Sequence, residues 1–372
     1  MPDSPNSTST ASMSQTARGY LLGPLLKGVS RSFYLTLRVL PAGMRDPIAL
    51  AYLLARAADT IADTTLIAPP KRLELLLALR ERVNASGGDD EAARRIGAEA
   101  AAHQTVTDEK VLLESIGPAL ALIDGLDATD RAAVREIVTT LTTGMEFDLR
   151  TFPDERSGEI AALGELAELD RYTYLVAGCV GEFWSKMTLA HLPGSFKDTP
   201  ARMIGRGVRF GKALQMTNVL RDCARDLRIG RCYLPASMLA RHGLTPAMLL
   251  TADASMRARP LMLELVEHTL ALYDDALAYT LAISRGAIRL RLACIWPIAI
   301  GLETLRLLVD NDRWLDPQAI SKIGRKQVYR IMARSVVAVA SDTALRAWIG
   351  GLARRVRMRM AAPASANCAA VK

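Results

Sequence analysis

The chain has 372 residues, half of them apolar, with 47 Lys and Arg against 39 Asp and Glu for a formal charge of +8. That composition suits a large buried core and excludes a disordered polyelectrolyte. Aromatic residues make up only 5% and are not interleaved with the arginines, so the charge points away from nucleic acid and toward an anionic small molecule or membrane surface.

From the N-terminus, "MPDSPNSTSTASMSQTARGY" has no apolar signal-peptide region, and residues 1–17 are expected to be a polar tail. Helical periodicity then runs from about residue 18 to 360, interrupted by short breaks such as "NASGGDDEA" and "LPGSFKDTP". With no repeat, composition shift or long linker, the expectation is one all-α domain over 18–360 and a small-residue tail over 361–372. The five cysteines (Cys179, Cys223, Cys232, Cys294, Cys368) form no CxxC pair and the four histidines no HxxxH pair, which argues for reduced thiols and against zinc.

In "LARAADTIADT", Asp59 and Asp63 are four apart; helical folding of residues 48–63 places them on one face, one turn apart. Two adjacent negative charges destabilise such a helix unless solvent, a neighbouring arginine such as Arg56, or a bound cation offsets them. "LQMTNVLRDCARDLRIGRCYLP" repeats the pattern with Asp222 and Asp226, adding Asn218 four residues earlier and Arg221 alongside. Paired oxygen ligands fit Mg²⁺, and the arginines fit a diphosphate that would bridge the metals. "GRGVRFGK" (205–212) has neither dinucleotide-loop nor P-loop spacing and reads as ordinary helix. "LACIWPIAIGL" (292–302) is short of the roughly 20 apolar residues a membrane span needs and reads as a core helix. "ALRAWIGGLARRVRMRM" is a basic amphipathic helix, either the last core-packing element or a membrane-surface contact.

Together the blocks "SRSF" (30–33), "YLLARAADTIAD" (52–63), "GMEFDL" (144–149), "YTYLVAGCVG" (172–181), "QMTNVLRDCARD" (215–226), "GRCYLP" (230–235) and "SKIGRKQ" (321–327) resemble the squalene/phytoene synthase family, the all-helical prenyltransferases that join two isoprenoid diphosphates head to head. The resemblance implies the isoprenoid synthase fold, a central apolar cavity flanked by two aspartate-rich helices. It implies Asp59, Asp63, Asn218, Asp222 and Asp226 as Mg²⁺ ligands, and Ser30, Arg31, Arg56, Arg221, Arg231 and Lys322 as diphosphate contacts. Tyr52 and Tyr172, with Arg56 and Arg221, would face the reacting centre. The implied reaction joins two farnesyl diphosphates through presqualene diphosphate and reduces the product to squalene with NADPH, for which no nucleotide motif marks a site. Rival readings are a phytoene-type or dehydrosqualene synthase, a presqualene diphosphate synthase, and a non-catalytic helical binding protein.

Two departures concern the metal site: eukaryotic squalene synthases carry a further acidic residue where this chain has Ala62 and Arg225. In "SKIGRKQ" the glycine disturbs the match around Lys322. Ala177, Gly178 and Gly181 leave room on one helix flank for either an isoprenoid chain or a neighbouring helix. The remaining expectations are a monomeric cytoplasmic enzyme, with peripheral contact at the inner membrane and no nucleic-acid partner.

Overall fold

Alanine- and leucine-rich stretches with apolar residues three and four positions apart fold into α-helices in the computed structural model, which describes residues 16–30, Leu37, 40–85 and 90–362. Among the described residues, strand is confined to Ala161–Ala162 (β1) and Arg231–Cys232 (β2), paired in parallel, and one isolated bridge between Phe196 and Ile283. The chain is all-α. Two units are distinguished, Met1–Leu149 and Arg150–Lys372, at a boundary that no linker in the sequence marks.

The first unit contains α1 (Ala42–Asp63), α2 (Pro69–Asn84), α3 (Asp90–Ala101), α4 (Thr107–Glu114), α5 (Ile116–Asp124) and most of α6 (Ala128–Thr151). Helix α1 packs against α2, α4 and α5. Over residues 48–63 it is buried on nearly every side, through Ile48, Leu50, Leu54, Ala58 and Ile61 among others, and only 52, 55, 56, 59 and 63 escape burial. The helix stops at Asp63. Its end is capped by Arg72, which is fully buried and donates from Nη1 to the Ala62 carbonyl at 2.9 Å, a cation on the negative end of the helix dipole.

In the second unit, α7 (Leu166–Thr173), a π-helical turn (Tyr174–Gly178) and α8 (Cys179–His191) lead to α9 (Pro200–Arg228), the longest helix. Thr199 caps α9 and Pro200 occupies its first turn, a strong start signal. After β2 come three short helical segments, then α10 (Arg259–Ala282), α11 (Ile288–Val309), α12 (Arg325–Ala338) and α13 (Asp342–Met360). Helix α9 contacts α8, α10 and α11.

At the α8–α9 crossing the two backbones touch. A Cβ on Gly181 would stand 1.8 Å from the Gly207 carbonyl oxygen, and one on Gly211 would stand 2.1 Å from that of Ala177. The small flank of Ala177, Gly178 and Gly181 therefore accommodates a neighbouring helix. "GRGVRFGK" is helical, as its spacing predicts.

"LACIWPIAIGL" is the middle of α11, which at 22 residues is long and apolar enough to cross a membrane. Two thirds of its most apolar stretch is nevertheless buried inside the unit, so it is a core helix. Arg291 on α11 is fully buried and donates to Asp342 of α13 at 2.6 Å; Arg285 reaches the same carboxylate at 2.9 Å. Burial works against the Asp342 charge, but these guanidinium bonds outweigh it and hold the pKa at about 2. Helix α13 buries Leu345, Trp348, Leu352 and Val356 and contacts α10, α11 and α12, the core-packing alternative for the basic C-terminal segment.

Candidate functional site

The open stripe of α1 carries Tyr52, Arg56, Asp59 and Asp63 at helical spacing. Arg56 pairs through Nη1 with Asp59 and through Nη2 with Glu109 of α4, the latter at 2.5 Å. Desolvation by the packed helices around a side chain that is still partly open, and then the Asp63 carboxylate, push Asp59 up to about 6, although Arg56 pulls it down. Burial disfavours the Arg56 charge, yet Asp59 and Glu109 together raise its pKa. Beside this stripe lies a polar cleft of about 240 Å³, lined by Arg56, Thr60, Asp63, His103, Gln104 and Glu109 among others.

On α9 the corresponding face carries Asn218, Asp222 and Asp226. Asn218 donates to Gln215 Oε1 at 3.3 Å. Arg221 grips Asp222 with two bonds, Nε to Oδ1 at 2.8 Å and Nη2 to Oδ2 at 2.5 Å, the fork geometry that makes guanidinium a good carboxylate or phosphate partner. Burial and then Asp222 raise Asp226 to about 7, opposed by Arg231, Arg225 and Arg221. Just past α9, Gly230 has φ +84° and lies so close to Glu159 that a Cβ would stand 2.5 Å from its carbonyl oxygen. Glycine is required there. The turn delivers Arg231 into β2, where it donates to Glu155 at 3.1 Å.

Tyr172 is buried and stacks on Tyr233 with centroids 4.7 Å apart; Phe152 meets Tyr233 edge-on at 5.0 Å. Behind Arg221, Tyr273 is fully buried, shares a hydrogen bond with Thr217 at 2.9 Å, and occupies the space that a side chain at Gly301 would need.

Each predicted position can now be located. In the first unit, Tyr52, Arg56, Asp59 and Asp63 share one stripe. Ser30, at the end of the short helix Leu26–Ser30, is buried, and its hydroxyl meets no hydrogen-bond partner among the described residues. Arg31 lies outside the described residues. In the second unit, Asn218, Arg221, Asp222 and Asp226 share a face, and Arg231 is close enough to Asp226 to lower its pKa. Lys322 is exposed on the loop before α12 and makes no ion pair with a described residue.

Sequence reasoning did not single out Glu109, Glu155, Gln215, Phe152, Tyr233 or Tyr273. Glu109 and Glu155 stand 53 and 76 residues from the arginines they hold, beyond any helical spacing signal.

Among the described residues, no three His, Cys, Asp or Glu side chains gather into a metal-binding group. On α1 two carboxylates share a face, and on α9 two carboxylates do so with the Asn218 amide. Each set, considered by itself, offers oxygen ligands that suit a hard divalent cation, and each holds one carboxylate pushed toward neutrality, a charge crowding that a cation relieves. The adjoining arginines suit the outer oxygens of a phosphate ester.

Comparison with known proteins adds four findings. The pattern of the squalene/phytoene synthase family matches residues 26–327. A bifunctional lycopene cyclase/phytoene synthase of Arthroderma gypseum is 30% identical over 65% of this chain and 39% of its own length. A squalene synthase of Eremothecium gossypii is 25% identical over 78% of this chain and 62% of its own. The chain thus spans less than two thirds of either relative. Among solved structures, TcSQS bound to the ligand BPH1237 superimposes with a TM-score of 0.70 at 20% identity, covering 93% of this chain and 98% of that one, a likeness of fold.

Proposed function

The chain belongs to the squalene/phytoene synthase family, and from that premise we propose that it joins two farnesyl diphosphates head to head and reduces the product to squalene. One observation carries this reading above all: the aspartate pair recurs on α1 and α9, each time with an arginine bonded to one of its carboxylates. Mg²⁺ held by Asp59 and Asp63, and by Asn218, Asp222 and Asp226, would supply positive charge against a departing diphosphate.

The chain's own residues do the rest. Arg56 and Arg221, now bonded to aspartates, exchange a carboxylate for diphosphate oxygens once the carboxylates are engaged. Arg231 contributes to the same charge balance, and the buried Ser30 hydroxyl donates to a diphosphate oxygen. Tyr172 and Tyr52 face the reacting carbons, where an aromatic ring stabilises the allylic cation. Apolar burial around α1 and α9 excludes water that would otherwise quench that cation.

The first condensation gives presqualene diphosphate with loss of a proton. Squalene then requires hydride from NADPH, for which the described residues offer no strand–turn–helix cradle, and no residue is assigned to that step. Relatives named phytoene synthase favour a second reading, in which proton loss ends the reaction.

Purified protein incubated with farnesyl diphosphate and Mg²⁺, with and without NADPH, tests both. Squalene formed only with NADPH is the expected product. A hydrocarbon indifferent to NADPH would replace squalene synthesis with the deprotonating reaction, and no diphosphate release under either condition would remove the enzyme reading.

A further inference from the structure

Between Asp316 and Asp342 the chain has no acidic residue, while Lys322, Arg325, Lys326, Arg330 and Arg334 fall within it. Most of this interval is α12, whose inner face is fixed. Ile331, Ser335 and Ala338 are buried, and Trp296 of α11 donates from Nε1 to Ser335 Oγ at 2.8 Å. With that face pinned, the outward face is determined by the helical repeat of 3.6 residues.

Tyr329 is 68% exposed, Val336 67% and Val337 84%, an unusual exposure for β-branched and aromatic side chains in a helix already packed on its other side. Projected down the axis at about 100° per residue, Val336, Tyr329, Ala333 and Val337 form a continuous apolar stripe. Arg325 borders it on one edge and Arg330 on the other, with Lys326 inside its first turn. Beyond Arg330, Arg334 is held over the Trp348 ring of α13 at 5.3 Å from the centroid.

We propose that the outer face of α12 is a docking surface for an anionic lipid bilayer. Charge complementarity identifies the occupant: Arg325, Lys326 and Arg330 on this face, with no carboxylate between Asp316 and Asp342, match a sheet of acidic headgroups, and long basic side chains reach headgroup level while the valines and the tyrosine ring enter the acyl boundary. A nucleic acid would use the cations and one ring but would leave Val336 and Val337 against water. The inference stands independently of which hydrocarbon the enzyme makes.

Co-sedimentation of the full chain with phosphatidylcholine vesicles, and with vesicles containing phosphatidylglycerol, tests the surface. The chain is expected to pellet with the anionic vesicles and to be released by high salt. The pair Lys326→Gln and Arg330→Gln should weaken partition roughly 30-fold, at about a tenfold loss per 1.4 kcal/mol and one such charge worth about 1 kcal/mol. The pair Val336→Ser and Val337→Ser should weaken it about tenfold while leaving circular-dichroism melting and turnover of soluble substrate unchanged.

Equal binding to neutral and anionic vesicles, or undiminished binding by both variants, would overturn the proposal. So would a dimer that the valine variant converts to monomer in sedimentation velocity. An oligonucleotide complex that the charge variant abolishes and the valine variant leaves intact, in a chain that ignores vesicles, would assign the face to nucleic acid instead.

Discussion

The two aspartate-bearing helices share a spacing and differ in their company. On α1, Asp59 and Glu109 both pair with Arg56, and Asp63 stands beside Asp59. On α9, Asp222 and Asp226 stand with Arg221, Arg225 and Arg231, and Glu155 takes one side of Arg231. Among the described residues, the same DxxxD pattern therefore stands beside one arginine in the first unit and three in the second. A cation is the complement of the first. A cation arriving together with diphosphate is the complement of the second, which suggests how labour is divided between them.

Paired alanine substitutions put that division to its hardest test. Asp59→Ala with Asp63→Ala, and separately Asp222→Ala with Asp226→Ala, should each lower turnover about 10³-fold, the scale of losing preorganised charge stabilisation. Only the first pair should shift the Mg²⁺ half-saturation more than the KM for farnesyl diphosphate; equal shifts from both pairs would erase the distinction.

A different contrast lies in how each unit uses a fully buried cation. Arg72 of the first caps a helix end, whereas Arg291 of the second holds a carboxylate, and Arg291→Met should cost about 3 kcal/mol in denaturant unfolding by leaving Asp342 to the exposed Arg285 and the more distant Lys197. Because the folded Asp342 pKa is depressed, its contribution is complete above the ordinary value of 3.8 and is lost as pH falls through about 2. Melting curves between pH 5 and pH 2 should therefore converge for wild type and Asp342→Asn.

For the site aspartates the sign is opposite. Asp226 at about 7 and Asp59 at about 6 stay protonated in the folded, metal-free chain where the unfolded chain has already ionised. That protonation stabilises the fold at low pH, and the benefit is lost as pH rises through 6 to 7. Asp59→Asn with Asp226→Asn should remove this dependence and raise the metal-free Tm at pH 8 by about 3 °C. If the variant and wild type track each other across that range, the raised values are wrong.

The smallest effect should come from Glu109→Gln. It leaves Arg56 bonded to Asp59 and removes a charge that raises Asp59, so kcat/KM should fall by about tenfold or less while the acid limb of the pH profile moves downward. An unmoved limb would mean that Glu109 only packs against Arg56.

Much of this was legible in the chain itself. The helices, the two aspartate faces, the adjoining Arg56 and Arg221 and the core role of the apolar run around Trp296 all follow from local spacing. What spacing cannot give is the long-range partner. Glu109, Glu155 and Tyr233 acquire meaning only when the fold brings them to Arg56, Arg231 and Tyr172. The glycines of α8 and α9 likewise read as vacant space until a second backbone fills it, and the outer face of α12 looks like an ordinary core stripe until its other side is found already packed.

Where α8 crosses α9 the tightest contacts, at Gly181 and Gly211, are main chain on main chain, so the crossing behaves as a fulcrum. Asp222 lies 11 residues beyond Gly211 on the same helix, a lever arm of about 16 Å. Even a methyl group at the fulcrum would swing the far end, and the Asp222 carboxylate with it. Variation in substrate length or product can be explored through side chains elsewhere around α9, whereas the seam tolerates none and sets the aim of every ligand downstream.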